Sequence, residues 1–258
     1  MPAIPAHDIA IDFLDLSNVR GSQHTSTAIL NNCIDGISIE HIATTQDVEL
    51  DDAHDTNLRT IYLFLKGTGK ISVHDSDYAI TPETIFLPNT VSAVAIKPKR
   101  GETLHYLKVS CTLTRQDLLE LKQLPAKNTR DIYLTKFTDC QTYTESIKSE
   151  TTVSRTILSN KFIPRIAMGT VQTMGPDMVE AHEHPMLQQL FLGLSGNECV
   201  VYADDSDIRF PQHSILHIPL GSKHSVAVAD QQTMYYVWMD FFLDKQGELW
   251  LDTHHSEN

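Results

Sequence analysis

Three histidines in the second half of the chain have the residue type and the spacing of a metal site. His182 and His184 are separated by one residue, and His224 follows a turn that starts at Pro219 and contains Gly221. Side chains two residues apart on a β-strand project from the same face, so His182 and His184 would point in one direction. His224 could meet them from a neighbouring strand. Because imidazole binds zinc, copper, iron and nickel, this spacing predicts a transition-metal site.

Two glutamines and a fourth histidine are candidates for further roles. Gln188 and Gln189 follow the histidine pair, and strand alternation allows only one of them to face inward. His217 lies in the strand that leads to the turn at Pro219. A wall residue is its default role, but an ordinary pKa of about 6.5 would also suit acid–base catalysis, which makes His217 the candidate catalytic residue.

The composition excludes several classes of protein. With 258 residues, of which 41% are hydrophobic and 21% charged, the chain suits one large globular domain or two ordinary ones. A net charge of −13 argues against nucleic-acid binding, which depends on Lys and Arg. No apolar run is long enough to span a bilayer, and residues 1–8 lack the basic start and apolar stretch of a signal peptide. We therefore expect neither nucleic acid nor membrane as a partner.

The cysteines predict no covalent framework. They are scattered without a Cys-x-x-Cys pair, at Cys33, Cys111, Cys140 and Cys199. This pattern indicates neither disulfides nor a thiolate zinc site. Unpaired thiols suit a reducing compartment, so the expected location is the cytoplasm.

Short strand signals at regular spacing predict an all-β frame for these residues. Residues 60–65 and 70–73 are apolar runs joined by a glycine-containing turn, which is the pattern of a hairpin. Residues 104–110 alternate as a half-buried strand does. Many short strands separated by turns indicate a barrel or a sandwich.

The pattern changes in the middle of the chain. Residues 114–122 predict a helix, because a threonine cap and an acidic first turn accompany a leucine stripe. Residues 124–128 end this helix, and the polar residues 138–154 predict a linker with a short helix. We therefore place a boundary between two halves near residues 115–150.

The two halves contain an internal repeat. Three segments match in order and approximate spacing: 60–67 with 189–196, 84–90 with 214–221, and 103–110 with 233–240. Chance strand patterns would rarely agree in this way, so the chain is predicted to hold two copies of one barrel. Other residues replace the metal constellation in the first copy, namely Ala53 and Asp55 for His182 and His184, Thr60 for Gln189, and Ala93 for His224.

These motifs resemble those of the cupin superfamily. The first cupin motif corresponds to His182-x-His184, four residues, Gln189, six residues and a glycine, and the second corresponds in full to Pro219-x-Gly221-x-x-His224. The resemblance departs from the family pattern at Gln189, where a glutamate is usual, and also at His213 and Val228.

The resemblance implies an all-β fold with two double-stranded β-helix barrels, of the jelly-roll type, and a few short helices between them. We accordingly expect a first barrel without metal over residues 1–113, a helix and linker over 114–155, and a metal-binding barrel over 156–258. The resemblance also implies one divalent transition metal (Fe, Mn, Ni, Co or Zn) held by four side chains: His182, His184, Gln189 and His224. The spacing in the family favours Gln189 over Gln188.

The function implied by the resemblance is that of a metal-dependent enzyme. Cupins with three histidines and one glutamine include isomerases, cyclases and lyases. The neutral Gln189 would leave the metal more Lewis-acidic and less tightly held. We expect isomerase, lyase or dioxygenase chemistry on a small polar metabolite, such as a hydroxy acid, a keto acid, an enediol or a sugar derivative. The alternative is a non-catalytic protein that binds or senses a small molecule and is related to the ligand domains of AraC-type regulators. A homodimer is expected in either case.

Overall fold

The computed structural model describes residues 9–21, 23–50, 55–184, 186–245 and 247–248. Ala53 lies outside these described residues. In chain order the strands are β1 (Ala10–Phe13), β2 (His24–Ile29), β3 (Ile37–Thr44), β4 (Val48–Leu50), β5 (Leu58–Lys66), β6 (Gly69–Val73), β7 (Ser76–Ile80), β8 (Thr84–Leu87), β9 (Val94–Pro98), β10 (Leu104–Thr112), β11 (Tyr133–Lys136), β12 (Thr142–Tyr143), β13 (Val153–Leu158), β14 (Ile166–Met174), β15 (Asp177–Glu183), β16 (Leu187–Gly193), β17 (Glu198–Ala203), β18 (Ser206–Pro211), β19 (Ser214–Ile218), β20 (Lys223–Val228) and β21 (Thr233–Phe242).

The first barrel comprises the described parts of Asp15–Cys140 and Lys161–Pro164. Six of its strands form one sheet in the order β11-β8-β5-β10-β3-β2, and four form another in the order β4-β9-β6-β7. Buried side chains from both sheets, including Tyr62, Phe86 and Ile96, pack into one core. Burial of this apolar surface is what holds the two sheets together.

The second barrel comprises the described residues within 9–14, 141–160 and 165–248. Its seven-stranded sheet has the order β1-β19-β16-β21-β14-β13-β12, and its four-stranded sheet has the order β15-β20-β17-β18. Phe191, Phe210 and Trp238 belong to its core. The predicted all-β fold with two jelly-roll barrels is confirmed.

The strand register of the two barrels agrees with the predicted repeat. Gln189 on β16 lies opposite Asp240 on β21, and Thr60 on β5 lies opposite Ser110 on β10. In the predicted repeat, Thr60 corresponds to Gln189 and Ser110 to Asp240. The two copies therefore share strand register as well as strand order.

The division of the chain differs from the predicted boundaries of 1–113, 114–155 and 156–258. β1 pairs with β19 in the second barrel, and β11 pairs with β8 in the first. Each barrel thus completes the same sheet edge with a strand from outside its own repeat. An unpaired edge exposes backbone N–H and C=O groups, and any short strand that reaches the edge can satisfy them. The sequence of such a strand does not by itself predict which sheet edge the strand will pair with.

Short helices occupy the middle of the chain. They are α1 (Arg115–Leu121), α2 (Ala126–Arg130) and a 3-10 helix at Phe137–Asp139. Thr114 caps α1 as predicted, because its hydroxyl accepts a hydrogen bond from the Asp117 N–H at 3.2 Å. The described residues 141–152 contain no helix; β12 lies there instead. No helix within the described ranges is long and apolar enough to cross a membrane.

Candidate metal centre

Three histidines converge at one end of the second barrel. His182 on β15 lies opposite His224 on β20, after an irregularity in the strand register between Val179 and His182. His184 lies one residue beyond β15. The potential ligand atoms of the three histidines are all within 4.8 Å of one another, and this is the only such group found among the residues that the structure describes. We call His182, His184 and His224 the histidine cluster.

Backbone carbonyls orient two of these rings. His182 Nδ1 lies 2.7 Å from the Glu180 carbonyl oxygen, and His224 Nδ1 lies 3.2 Å from the Ser222 carbonyl oxygen. A carbonyl accepts hydrogen bonds, so each Nδ1 carries the proton and donates it. Nε2 then keeps its lone pair for a ligand, as is common for metal-bound histidines.

The cluster has the electrostatics that metal binding requires. Burial, together with the neighbouring His182, lowers the pKa of His224 to about 3. The ring is therefore neutral at physiological pH, which is the form that binds metal. His224 is 1% exposed, and within the described part of the chain its Nε2 has no hydrogen-bond partner. A buried nitrogen of this kind fits a metal ligand, because a polar atom left unpaired in the interior is otherwise unfavourable.

Gln189, rather than Gln188, joins the cluster. Gln189 is buried and lines the same cavity as His182 and His184. Its Nε2 donates to Asp240 Oδ1 at 2.7 Å, and its Oε1 is buried with no hydrogen-bond partner among the described residues. The amide oxygen is thus available as a fourth ligand. These donors fit a divalent transition metal.

His217 lies on the opposite face of the sheet. Its neighbours Leu216 and Ile218 belong to the barrel core, so alternation turns His217 away from it. The His217 Nε2 is 2.9 Å from Gln188 Oε1, which places both side chains on this outer face. The predicted catalytic role of His217 therefore does not fit its position.

His182 and His184 of the histidine cluster line a cavity of about 160 Å3. A cavity of about 150 Å3 holds a molecule such as benzene, so this space suits a small metabolite. Besides His182, His184 and Gln189, its lining includes Tyr143, Glu145, Ile147, Lys148, Phe191, Tyr236, Trp238 and Asp240.

Asp240 is a functional candidate that the sequence reasoning missed. It is 5% exposed, and burial raises its pKa to about 7, whereas the hydrogen bond from Gln189 acts in the opposite direction. A signal was present in the sequence. Every second residue of β21 projects from the same face, and this face carries Tyr236, Trp238 and Asp240. One carboxyl group thus lies on the inward face together with two aromatic rings.

A segment predicted to be a linker forms part of the cavity wall. We call residues 143–148 the strap. Lys148 is ion-paired with Glu145, donates to Ser154 Oγ at 3.1 Å and lies 5.4 Å from the centre of the Tyr143 ring. The Ile147 carbonyl accepts a hydrogen bond from a backbone N–H of β15 at 2.9 Å. The strap thus brings a buried cation and an aromatic ring to the cavity.

The first barrel carries a different set of residues at the equivalent positions. Asp55 and Ala93 are exposed, and Thr60 is buried. A second cavity of about 280 Å3 in this barrel is lined by residues that include Glu40, Tyr62 and Lys108. Its chemistry is not that of the histidine cluster.

Comparison with known proteins identifies the fold. No family model matches the sequence, and no curated protein matches it. A solved structure of a Pseudomonas aeruginosa protein described as glyoxylate-induced is 10% identical, with a TM-score of 0.71 over 95% of this chain and 92% of that one. An oxalate decarboxylase of Lactobacillus farciminis in complex with formate is 12% identical, with a TM-score of 0.62 over 97% and 91%. A cupin 2 conserved barrel domain protein of Leptotrichia buccalis is 14% identical, with a TM-score of 0.58 over 88% and 92%.

Proposed function

We propose that this chain, which has the cupin fold in both barrels, is a metal-dependent enzyme whose site is the cavity of the second barrel. The observation that carries the proposal is the convergence of three histidines whose ligand atoms lie within 4.8 Å of one another. Beside them is the Gln189 oxygen, which has no hydrogen-bond partner among the residues that the structure describes. The substrate is a small polar metabolite, such as a hydroxy acid, a keto acid, an enediol or a sugar derivative. The reaction class is isomerase, lyase or dioxygenase chemistry.

His182, His184, Gln189 and His224 would hold one divalent transition metal, with Fe, Mn, Ni, Co and Zn as candidates. When bound, the metal supplies Lewis-acid polarisation of a carbonyl or an enolate oxygen. The donor set itself contains three neutral imidazoles and a neutral amide. The acidic and basic side chains that line the cavity beside this set are Glu183, Asp240 and, on the strap, Glu145 and Lys148.

The cavity residues of the chain can bind and orient the substrate. Burial raises the pKa of Tyr236 well above its usual range, so the phenol keeps its proton and can donate a hydrogen bond to a substrate oxygen. The Lys148 side chain is 7% exposed and lines the cavity, where its ammonium can attract a carboxylate. Trp238 and Phe191 provide apolar walls that exclude water.

Metal analysis of the purified protein tests the premise of this proposal. We expect about one transition-metal ion per chain, and a loss of that ion in His182→Ala. His217→Ala is the matched control, because His217 lies outside the cavity and should leave the metal content unchanged. At a free metal concentration 100 times Kd, binding should stabilise the wild-type fold by about 2.7 kcal/mol. Absence of stoichiometric metal, together with an unchanged melting temperature in His182→Ala, would contradict the proposal.

A screen of small hydroxy and keto acids with the metal-loaded protein tests the enzymatic part. Product formation that disappears in His224→Ala supports an enzyme. Ligand-dependent thermal stabilisation without any product would instead support the sensing alternative.

The homodimer and the cytoplasmic location belong to the same proposal. Light scattering on the full chain should give twice the mass of 29.0 kDa. Localisation of the tagged protein by cell fractionation tests the second expectation, which predicts that it is recovered with the cytoplasmic fraction.

A further inference from the structure

Gln189 and Asp240 form a buried pair beside the histidine cluster. They lie directly opposite each other on β16 and β21, and they are 6% and 5% exposed. The Gln189 Nε2 donates to Asp240 Oδ1 at 2.7 Å. Within the described residues the Gln189 Oε1 has no hydrogen-bond partner. One end of the amide is therefore held while the other end is available.

The chemistry of the two groups determines which end is held. Asp240 Oδ1 accepts the hydrogen bond, so it pairs with the NH2 group of the amide and leaves the amide oxygen turned away from itself. Only the amide oxygen can ligate a metal, because the amide nitrogen has no available lone pair. If the amide were rotated by half a turn, Gln189 would present two N–H groups to the metal and could not bind it.

We propose that Asp240 is a positioning residue that holds the Gln189 amide with Oε1 toward the histidine cluster. This inference rests on the proposed metal centre. Asp240 acts through Gln189 and is not itself a ligand. Its carboxyl group is also joined to the neutral amide by one hydrogen bond. That hydrogen bond makes the amide oxygen a stronger donor, as partners behind metal ligands commonly do.

The first barrel provides an internal comparison for this pair. At the equivalent positions it has Thr60 opposite Ser110, which contain neither an amide nor a carboxylate. Thr60 and Ser110 are both buried there. The same strand register thus accommodates a serine in place of the aspartate without loss of the barrel. The amide–carboxylate pair occurs together with the histidines and is absent where they are absent.

This comparison supplies a substitution that the fold should accept. Asp240→Ser introduces the residue of the first barrel, and its shorter side chain cannot reach the Gln189 amide as the carboxylate does. Asp240→Asn keeps an oxygen at the same position that can accept the hydrogen bond. Ser110→Ala in the first barrel is the control for a change at the equivalent site. Thermal melts of the metal-free variants establish that each one is folded.

The readouts are cobalt affinity, by titration of the metal-free protein, and the visible absorption spectrum of bound cobalt. Asp240→Ser should weaken Co2+ binding by about 10- to 100-fold and change the spectrum, because an amide oxygen is lost from the ligand set. Asp240→Asn should retain most of the affinity and the wild-type spectrum. Ser110→Ala should match the wild type in both measurements.

A double-mutant cycle separates positioning from a merely structural role. If Asp240 acts through Gln189, then adding Asp240→Ser to Gln189→Thr should weaken Co2+ binding no further than Gln189→Thr does alone. Equal Co2+ affinity and an identical spectrum in Asp240→Ser and the wild type would overturn this inference and leave the metal centre intact. Additive losses in the cycle would overturn it too. A wild-type protein that binds no Co2+ would refute the metal centre itself, and the inference with it.

Discussion

His182 lies directly opposite His224 on two paired antiparallel strands, and the centres of their rings are 4.4 Å apart. The corresponding strands of the first barrel, β4 and β9, pair Leu50 with Val94 and Val48 with Ile96. Within the described residues, the pair of β15 and β20 thus carries two of the three histidines, whereas the pair of β4 and β9 carries none. The duplicated frame does not depend on the metal-binding residues.

Restoring the usual glutamate at position 189 should separate metal affinity from the stability of the metal-free fold. Gln189→Glu places a carboxylate next to Asp240, whose oxygen now lies 2.7 Å from the Gln189 amide nitrogen. Two carboxylates this close repel each other and cannot both ionise readily. We expect a metal-free protein that melts several degrees lower, and a larger rise in melting temperature when metal is added. Calorimetry with and without Co2+ measures both effects.

Gln188→Glu is the matched control, because that side chain lies on the outer face beside His217. It should leave the stabilisation by metal unchanged. A Gln189→Glu protein that resembles the wild type with and without metal would show that position 189 does not face the metal.

A pair of buried histidines in the first barrel predicts a loss of stability in acid. His41 Nε2 lies 3.2 Å from His105 Nδ1, and both rings are buried. Burial, followed by the charges of His41 and Lys66, lowers the pKa of His105 to about 4. Because an unfolded histidine has a pKa of about 6.5, the unfolded chain takes up a proton between pH 6.5 and 4 that the folded chain does not. Stability should therefore fall as the pH falls through this window.

The difference in pKa corresponds to an upper limit of about 3 kcal/mol for His105. Urea unfolding at a series of pH values measures it, and His105→Leu should flatten the profile between pH 6.5 and 4. His74→Asn changes an exposed histidine and should leave the profile as in the wild type. An equally steep loss of stability in His105→Leu would show that other groups cause it.

Because Gly169 on β14 has no side chain, the Trp238 ring can occupy the space next to it. A Cβ at Gly169 would lie 2.3 Å from the Trp238 ring and 2.5 Å from the Arg155 carbonyl oxygen. Gly169→Ala should therefore displace Trp238 from the cavity wall and destabilise the fold by about 1 to 3 kcal/mol. Chemical denaturation measures the loss, and tryptophan fluorescence reports the displacement.

Gly101→Ala is the comparison for the glycine change, because a Cβ there meets no atom within 4 Å. Gly101 has a φ of +84°, so the substitution should lower stability by about 1 kcal/mol without changing the fluorescence. An unchanged emission spectrum in Gly169→Ala would contradict the contact with Trp238.

The pairing of β1 with β19 predicts which barrel depends on the first strand. Deletion of residues 1–13 removes β1 and exposes the edge of β19 in the second barrel. Each lost backbone hydrogen bond should lower stability by about 1 kcal/mol. We expect weaker metal-dependent stabilisation and faster proteolysis of the second barrel, detected by mass spectrometry of the fragments. Deletion of residues 1–8 leaves β1 in place and is the control; equal effects of the two deletions would contradict a role for β1.

The sequence carried enough information for the fold and for the histidine cluster. The alternation of apolar residues is local, so it predicts strands directly, and the matched segments predict the duplication. Two histidines spaced by two residues must share a face of a strand, which is why His182 and His184 were identified without a structure. The match of Thr60 to Gln189 also agrees with the strand register of the two barrels.

Tertiary structure decided the features that depend on partners distant in sequence. The barrel to which β1 and β11 belong is one such feature, because the sequence of a short strand does not show which sheet edge the strand completes. The outward position of His217 follows from the core positions of Leu216 and Ile218. The pairing of Asp240 with Gln189 joins residues 51 positions apart and exists only because β16 and β21 are neighbours. The sequence by itself thus determined which residue types the site contains, whereas strand pairing determined which atoms meet there.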